Sequence, residues 1–394
     1  MTARWHSAAV RAYGPMKQWR REFHRHPELS NEEHATRDRI VEALESLGLR
    51  PETYPHFTGV AATVEGGGDG PMVALRADMD ALPITEATGV PFASASPGRM
   101  HACGHDVHLA SLLGAAKLAS ERPEERAGPL RLLFQPAEED GRQGGAQPML
   151  ERGALGPSKY VLGQHVEQTV PVGSVAYRAG AMMAAADWFD ITVHGSGGHA
   201  GYPQGGPDAV VVAAEIVNGL QALVSRTKNP VEPAVISVGS IHGGDRPNVR
   251  PATVSLAGTV RTFSEELRQQ FAQSIPRRAR GIAGSLGARA TVQYRLGYGA
   301  VRNPPEVTRV IAEGFRAAFG PARAREYPEP VMGAEDFAVY LDDRPGCFWW
   351  LGVGTPGRTM ADKHSAEFLP DERALTTGAE ALLVAAEAVQ RGRP

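Results

Sequence analysis

A short segment at residues 100–108, MHACGHDVH, concentrates side chains that can bind a metal ion. The whole chain has only 13 histidines and two cysteines, and four of these residues fall here. Thiolate and imidazole are strong ligands for zinc and similar divalent ions. In an extended segment residues two apart point the same way, so Cys103 and His105 can share one ion while Gly104 allows a close backbone approach. The remaining two histidines are expected to support the site: His101 and His108.

An acidic pair, Glu138 and Glu139, follows the apolar run in FQPAEED at 134–140. Adjacent side chains in extended backbone point in different directions, so the two carboxylates are expected to have different roles. Metal-assisted hydrolysis needs one carboxylate that is free of the metal, to take a proton from water and pass it to the leaving nitrogen. The pair therefore predicts one ligand and one proton-transfer group.

Two isolated histidines and two aspartates stand near other apolar runs. His165 ends YVLGQHV, and His364 lies in DKHSAEF after CFWWLGVG. Asp78 and Asp80 lie in LRADMDALP, where a strand is expected to end. Carboxylates at such a position are suited to orient histidine ligands.

A second group of polar residues lies further along the chain. His199 sits in the glycine-rich segment GSGGHAGYP at 195–203, where its imidazole can be presented to a ligand. Asn248 and Arg261 lie in NVRPATVSLAGTVRTF, and a guanidinium fork is suited to a substrate carboxylate. These three residues are candidates for contacts with the substrate.

The elements that would position these residues alternate between strand and helix. Apolar runs bounded by turn residues predict strands, and helical spacing of apolar residues predicts helices between them. This rhythm is typical of an α/β sheet with helices on its faces. The glycine-rich GGGDG at 66–70 is expected to close a hairpin between two strands. The predicted strands are 60–65, 72–80, 130–135, 160–166 and 347–354, and the helices are 34–48, 109–119, 306–319 and 373–390.

The pattern changes near residue 181. From there the chain reads strand, helix, two strands, helix, strand, which is the order of a ferredoxin-like βαββαβ unit. We therefore predict two domains: a discontinuous metal-binding catalytic domain of residues 1–180 and 299–394, and an inserted lid or dimerisation domain of residues 181–298.

Composition narrows the class of protein. The chain has 394 residues, a formal net charge of -3 and 22% charged residues, with no basic footprint for nucleic acid. Two cysteines cannot form a disulfide framework, and the N-terminal segment lacks the apolar core of a signal peptide. The apolar run at 209–217 is too short to span a bilayer. The sequence therefore predicts a cytoplasmic protein with no membrane or nucleic-acid partner.

Taken together, these motifs resemble the M20 metallopeptidase superfamily, in particular its amidohydrolase branch of hippurate hydrolases, N-acyl-amino-acid amidohydrolases and auxin-conjugate hydrolases. The resemblance extends over nearly the whole chain. It is carried in order by RHPELSNEE (25–33), LRADMDALP, MHACGHDVHLASLLGAA, LLFQPAEE, GQHV, GSGGHAGYP, the NV and GTVRTF elements, MGAEDF and HSAEF.

The resemblance implies roles for particular residues. Glu138 would be the general base and acid, His199 would reach the reacting oxyanion, and Asp78 joins them as an expected catalytic residue. Asn248 and Arg261 would help to hold the substrate. A dinuclear centre of zinc, manganese, cobalt or nickel would be bound by five ligands: Cys103, His105, Glu139, His165 and His364.

The resemblance also implies a fold and an assembly: a catalytic α/β domain with a central mixed sheet, and an inserted ferredoxin-like α+β domain through which relatives form homodimers. Two positions depart from the expected motifs. NVRP has Arg250 where an apolar residue is expected, and KHSAEF has Lys363 and Ala366. Neither departure removes an expected ligand or the base.

The resulting prediction is metal-dependent hydrolysis of the amide of an N-acyl amino acid, with a small acyl amino acid or short peptide as substrate. Three alternatives remain. A dipeptidase of the same superfamily would need to recognise an ammonium group, and a cysteine hydrolase using Cys103 should survive removal of metal. A catalytically silent ligand-binding relative would gain nothing from a base at Glu138 that does not bind the metals.

Overall fold

The computed structural model describes residues 3–141, 144–355, 357 and 359–392. The chain divides into two compact units. The larger unit comprises Met1–Met182, Arg302–Glu329 and Asp336–Pro394, and the smaller comprises Met183–Val301 and Pro330–Glu335. That the larger unit is a metal-binding catalytic domain and the smaller one a lid remains a prediction.

The described helices are α1 (Ala3–Arg11), α2 (Tyr13–Arg25), α3 (His34–Ser46), α4 (His105–Glu121), α5 (Ala146–Glu151), α6 (Ala209–Arg226), α7 (Glu265–Ser285), α8 (Pro305–Phe319), α9 (Ala338–Asp343) and α10 (Ala374–Gly392). The described strands are β1 (Pro51–Tyr54), β2 (Phe57–Val64), β3 (Val73–Asp78), β4 (Leu130–Gln135), β5 (Tyr160–Pro171), β6 (Val175–Tyr177), β7 (Gly180–Met183), β8 (Ala185–His194), β9 (Gly198–His199), β10 (Ala234–His242), β11 (Val249–Arg250), β12 (Thr253–Thr262), β13 (Arg289–Leu296), β14 (Val301–Asn303), β15 (Ala324–Glu326) and β16 (Gly346–Gly354).

The larger unit is built around an eight-stranded mixed sheet with the order β1-β2-β4-β3-β5-β16-β6-β15. Its four central strands, β4, β3, β5 and β16, are mutually parallel. β3, β4 and β16 are buried along their whole length, which is why they appear in the sequence as continuous apolar runs rather than alternating ones. The buried helix α4 packs against β3, α2 and α10. The predicted mixed α/β sheet flanked by helices is confirmed.

The hairpin predicted at GGGDG does not form. β4 lies between β2 and β3 in the sheet, so these two strands are not paired with each other. The glycine-rich segment instead lies against the residues just before β4, where the N–H of Gly68 donates to Arg126 O at 3.0 Å and that of Gly70 to Ala127 O at 2.8 Å. Strand insertion of this kind is set by long-range packing, which a local turn motif does not record.

The register of the central strands places several polar residues side by side toward the carboxyl ends of these strands, which form one edge of the sheet. Asp78, the last residue of β3, is opposite Gln135, the last residue of β4. In β5, His165 is opposite Trp350 of β16. Ligand sites in α/β proteins form at the carboxyl ends of parallel strands, so this edge is where chemistry is expected.

The smaller unit contains a four-stranded antiparallel sheet with the order β10-β12-β8-β13. With α6 between β8 and β10 and α7 between β12 and β13, this is the predicted ferredoxin-like βαββαβ arrangement. Buried residues alternate along β12, and they pack with the apolar faces of α6 and α7.

Within the described residues, α6 is the one helix long and apolar enough to cross a membrane by length and composition. It has 18 residues, so the nine-residue run that the sequence analysis used understates its length. One face of the helix, including Val212, Ile216 and Leu220, is buried in the core of the smaller unit. That is the pattern of a core helix, so the composition is weak evidence for a membrane span.

Candidate metal centre

Cys103 and His105 come together through a turn into α4, not through an extended segment as predicted. Gly104 adopts a left-handed conformation, with φ of +86°, and α4 begins at His105. A Cβ at this position would lie 2.6 Å from Cγ2 of Val166, so both conformation and space require glycine. The tight turn places the thiol beside the first residue of the helix.

Each of two buried histidines has one ring nitrogen committed to a backbone carbonyl. His105 Nδ1 lies 2.9 Å from Asp80 O, and His165 Nδ1 lies 2.8 Å from Val166 O. Because Nδ1 donates in each case, the Nε2 lone pair is left for another partner, as in histidines that bind metals. His165 Nε2 lies 3.3 Å from Cys103 Sγ, and His105 Nε2 has no hydrogen-bond partner among the described residues.

The acidic pair lies in a single turn of 3₁₀ helix, Glu138–Asp140, and not in extended backbone as predicted. The turn does not separate the two carboxylates, because Glu138 Oε2 and Glu139 Oε1 each lie 4.0 Å from His105 Nε2. Glu139 Oε1 lies 3.3 Å from His364 Nε2. Glu138 is buried, and its Oε2 lies 4.0 Å from His105 Nε2.

His364 is held in an uncommon conformation for a residue other than glycine, with φ of +66°. Its N–H donates to Ala102 O at 2.9 Å, which fixes its backbone beside Cys103. The preceding residue, Lys363, donates to Glu167 at 2.8 Å, and its ammonium lies 4.9 Å from the ring centroid of Trp350. The lysine that departs from the family motif therefore ties this segment to β5.

Two groups of ligand atoms result, and they share one residue. Cys103, His105 and His165 form one group, and Cys103, Glu139 and His364 form the other, with the ligand atoms of each within 4.8 Å of one another. The set of thiol, imidazole and carboxylate is chemically suited to divalent transition metals. In addition, the buried Nε2 of His105 has no hydrogen-bond partner among the described residues, so it can bind a further partner. The residues therefore fit a pair of cations.

The pKa shifts at the cluster arise from burial and from close neighbours. Burial holds the pKa of His165 well below its usual value, so this imidazole is neutral and able to bind a cation. Burial, with Glu139 next in importance, raises the pKa of the Cys103 thiol. Hydrogen bonds with Cys103 and Glu139 raise the pKa of His364 to about 10.

Asp78 and His108 lie beside the cluster and are joined to each other by a hydrogen bond. His108 Nε2 accepts the N–H of Val166 at 2.9 Å, so its Nδ1–H donates to Asp78 Oδ1 at 2.5 Å. Asp78 Oδ2 accepts from Arg76 at 2.7 Å and lies 3.7 Å from His105 Nε2. His108 thus has both nitrogens engaged, in agreement with its expected supporting role.

Sequence reasoning missed a buried network around Arg76, which includes Gln135 and Asp336. Arg76 donates to Gln135 and to Asp336, each at 2.9 Å, and Asp336 Oδ2 also accepts the N–H groups of Gly145 and Ala146. A signal was present in the sequence, because Arg76 in VALRAD and Gln135 at the end of LRLLFQ are polar residues within largely apolar runs. A charged residue inside a fully buried strand requires a partner.

Three candidate substrate residues lie in the smaller unit. His199 is exposed in β9, which pairs with β11, and the N–H of Ala200 donates to Asn248 O at 3.0 Å. Arg261 is half-buried in β12, on a different part of the unit, and burial lowers its pKa. The structure thus places His199 beside the Asn248 backbone but does not group Arg261 with them.

Arg250, the other departure from the motif, has a structural explanation. Its side chain is buried and donates to Gly206 O at 2.8 Å, Tyr202 O at 3.2 Å and Pro203 O at 3.4 Å. It therefore holds the loop that follows His199.

Residues 74–388 match the family model of Peptidase family M20/M25/M40, which is most of the chain. The chain belongs to this family. The predicted membership is confirmed, and with it the enzyme class: a dinuclear metal-dependent amidohydrolase.

Similar proteins agree with this membership. N-acetylcysteine deacetylase of Bacillus subtilis is 40% identical over 364 residues, which are 92% of this chain and 93% of that protein. Thermostable carboxypeptidase 2 of Saccharolobus solfataricus is 39% identical over 365 residues, 92% of each chain. The crystal structure of the YXEP protein of Bacillus subtilis, a dinuclear metal binding peptidase of the M20 family, has a TM-score of 0.82 and 35% identity, covering 96% of this chain and 98% of that one.

Proposed function

We propose that this enzyme hydrolyses the amide bond of N-acyl amino acids, such as N-acetyl or N-benzoyl derivatives, and releases a carboxylic acid and a free amino acid. The observation that carries the proposal is the arrangement of two ligand groups sharing Cys103, with the buried Glu138 beside them and one of its oxygens within 4.8 Å of ligand atoms of both His105 and Glu139. The 40% identical N-acetylcysteine deacetylase supports an acyl amino acid as the substrate class.

In the proposed mechanism Glu138 performs the proton transfers. Two divalent ions bound by Cys103, His105, His165, Glu139 and His364 would lower the pKa of water and polarise the amide carbonyl. Glu138 accepts the proton of the attacking water and delivers it to the leaving nitrogen. Asp78, through His108 and Arg76, keeps the ligand residues oriented.

We further propose that His199 donates to the oxyanion of the substrate and that Asn248 and Arg261 contribute to carboxylate binding. A guanidinium whose pKa is lowered by burial gains from an anionic partner, which supports a role for Arg261. Zinc and manganese are the metals to test first, because the donor set suits both.

A second candidate is peptidase activity, favoured by the 39% identity to a carboxypeptidase. A third is thiol chemistry, because Cys103 Sγ lies 3.3 Å from His165 Nε2. The thiol reading leaves Glu139 and His364 without a role, and the raised pKa of the thiol disfavours the nucleophilic thiolate.

We also propose a cytoplasmic homodimer. Both cysteines are free and buried, which suits a reducing compartment. The edge strand β10 exposes Val235 and Ile241, and α6 exposes Val210 and Val211, so this face of the smaller unit is a suitable place for a second copy to pair. Sedimentation of the intact protein tests the dimer.

The decisive experiment combines a substrate panel with two neighbouring variants. Metal-stripped protein is assayed on N-acetyl, N-benzoyl and indole-acetyl amino acids and on free dipeptides, with and without added zinc or manganese. We expect metal-dependent release of amine from an acyl amino acid. Turnover that survives chelation would instead support the thiol reading.

The variants separate the proton-transfer group from a ligand. Glu138→Gln should lower kcat by about 10² to 10⁴-fold while two ions remain bound. Glu139→Gln should lose metal as well as activity. Full turnover in Glu138→Gln contradicts the mechanism.

A further inference from the structure

The turn that carries the acidic pair begins at a strained residue. Ala137 has φ of +55°, a left-handed conformation that residues with a Cβ rarely adopt. It directly precedes Glu138 and is itself almost fully buried. Such a conformation persists only where its surroundings hold it in place, so the contacts of Ala137 determine where the proton-transfer group points.

Two buried carboxylates hold the backbone on either side of Glu138. Glu33 Oε1 accepts the N–H of Ala137 at 2.8 Å, and Asp80 Oδ2 accepts the N–H of Glu139 at 2.9 Å. Asp80 also accepts from the hydroxyl of Ser30 at 2.6 Å. The segment RHPELSNEE, which has no role in the mechanism above, thus supplies both Glu33 and Ser30 to this turn.

Glu33 is well suited to the task. Its side chain is fully buried at the start of α3, and Oε2 accepts the hydroxyl of Thr58 in β2 at 2.7 Å. The two bonds leave the carboxylate little freedom to move, and a rigid acceptor defines the position of the amide that it holds. Glu33 contacts none of the proposed ligands in the described hydrogen bonds or ion pairs.

We propose that Glu33 is a positioning residue for the reaction, which holds Ala137 in its left-handed conformation and thereby aims Glu138. The inference rests on the proposed function, because the orientation of Glu138 matters for the reaction only if Glu138 performs the proton transfers. The positioning role of Glu33 requires a hydrogen-bond acceptor at Oε1 and does not require a negative charge.

The acceptor requirement agrees with the electrostatics. Burial, and then the nearby Asp80 carboxylate, raise the pKa of Glu33 to about 7. The site therefore tolerates a neutral side chain. In Glu33→Gln the amide oxygen can accept from Ala137, and the amide nitrogen can donate to the Thr58 hydroxyl, which reverses its role.

The test compares kcat, KM and bound metal in full-length Glu33→Ala, Glu33→Gln and Thr58→Val, each loaded with metal. We expect Glu33→Ala to lower kcat by about tenfold to 100-fold, because displacement of a catalytic group by roughly 1 Å has effects of this size. KM and metal content should stay close to the wild type. Glu33→Gln should keep most of the kcat.

Thr58→Val is the matched control, since it removes the other bond of the same carboxylate and leaves the bond to Ala137. It should reduce stability without the loss of kcat. A loss in Thr58→Val equal to that in Glu33→Ala would show a general packing effect and overturn the proposal, as would an unchanged kcat in Glu33→Ala.

Two further variants keep the proposal testable if Glu33→Ala does not fold. Glu33→Asp retains the carboxylate but withdraws it from Ala137, so its kcat should fall while that of Glu33→Gln does not. Combining Ala137→Gly with Glu33→Asp should restore part of the kcat, because glycine adopts positive φ without strain. Equal activity of Glu33→Asp and the wild type would overturn the proposal.

Glu138→Gln in the same assay separates the two levels of argument. If it retains turnover, the proposed mechanism fails whatever Glu33 does. If Glu138→Gln is inactive and Glu33→Ala is normal, only the positioning role fails.

Discussion

Asp187 of the smaller unit and His105 of the larger one are both buried polar residues with opposite surroundings. Asp187 accepts from Arg268, from the hydroxyl of Tyr294 at 2.9 Å and from the N–H of Gly297 at 3.0 Å. His105 keeps Nε2 without a hydrogen-bond partner within the described chain. Asp187 therefore finds its hydrogen-bond partners within its own unit, whereas Nε2 of His105 does not.

The helix ends show the same contrast. In the smaller unit the side chain of Asp208 accepts from Val210 at the start of α6, and that of Ser264 accepts from Leu267 at the start of α7. In the larger unit α4 begins at His105 after a glycine, with no side-chain cap. Capping residues satisfy the free N–H groups of a first turn, so α4 begins without the protection that α6 and α7 have.

The difference indicates what each unit is built for. Buried polar groups without partners are costly and are retained where a ligand or a reaction uses them. Asp187 stabilises the smaller unit through its hydrogen bonds, whereas His105 of the larger unit keeps Nε2 available for binding. Variants in the two units should therefore affect different measured quantities.

The largest expected effect is that of His165→Ala on the larger unit. Loss of a proposed ligand should reduce bound metal and lower activity by more than about 100-fold, since even residues outside the ligand shell have effects of 10 to 100-fold. Thermal unfolding of the metal-free protein should change little. Metal analysis and melting in chelator measure the two effects. His194→Ala, at a half-buried histidine of the smaller unit, is the control and should keep both metal and activity.

The second effect is loss of stability in Asp187→Ala. This change leaves the largely buried guanidinium of Arg268 without its main partner and should lower the free energy of unfolding by about 3 to 5 kcal/mol. Urea denaturation followed by circular dichroism measures it. Asp190→Ala removes an ion pair that is about half exposed, with Arg295, and should cost less than about 1 kcal/mol. Comparable losses in the two variants would contradict the contrast.

A smaller effect concerns pH. Burial, with Asp187, raises the pKa of Tyr294 above its usual value of about 10. The folded state therefore holds this proton more tightly than the unfolded state, so its contribution is complete below pH 10 and is lost as pH rises above 10. Tyr294→Phe should show a weaker decline of the unfolding free energy above pH 10. Parallel declines in the two proteins would argue against the shift.

The smallest effect is that of a helix cap. Asp208→Ala should lower stability by about 1 kcal/mol, because the N–H of Val210 loses its acceptor. Urea denaturation should show this loss at unchanged metal content and unchanged kcat. A fall in metal content would mean that the two units are not as separate in their functions as we infer.

Much of the fold could be predicted because local patterns determine it. Continuous apolar runs such as CFWWLGVG marked the buried strands, and the order of elements after residue 181 was enough to predict the ferredoxin-like sheet. Strand order was not predictable from GGGDG, because the insertion of β4 between β2 and β3 depends on contacts between distant segments.

The site residues were found by type, but their local geometry was not. Glycine at 104 is compatible with both an extended segment and a left-handed turn, and the structure has the turn. Alanine at 137 carries no signal for positive φ, since its conformation depends on a carboxylate 104 positions away in sequence. Assignment of the individual catalytic and metal-binding roles remains a prediction for the variants above.

The proposed ligands also have a consequence in time. The two groups of proposed ligands that share Cys103 include residues as far along the chain as His364, which follows the strand β16. A chain grows at about 5 to 20 residues per second, so roughly 10 to 50 seconds of synthesis separate the first ligand from the last. Once His165 has been made, the nascent chain holds every proposed ligand except His364, so the second group stays incomplete for most of that interval. Complete loading with two ions therefore belongs to the last stage of the protein's production, after nearly all of it has left the ribosome.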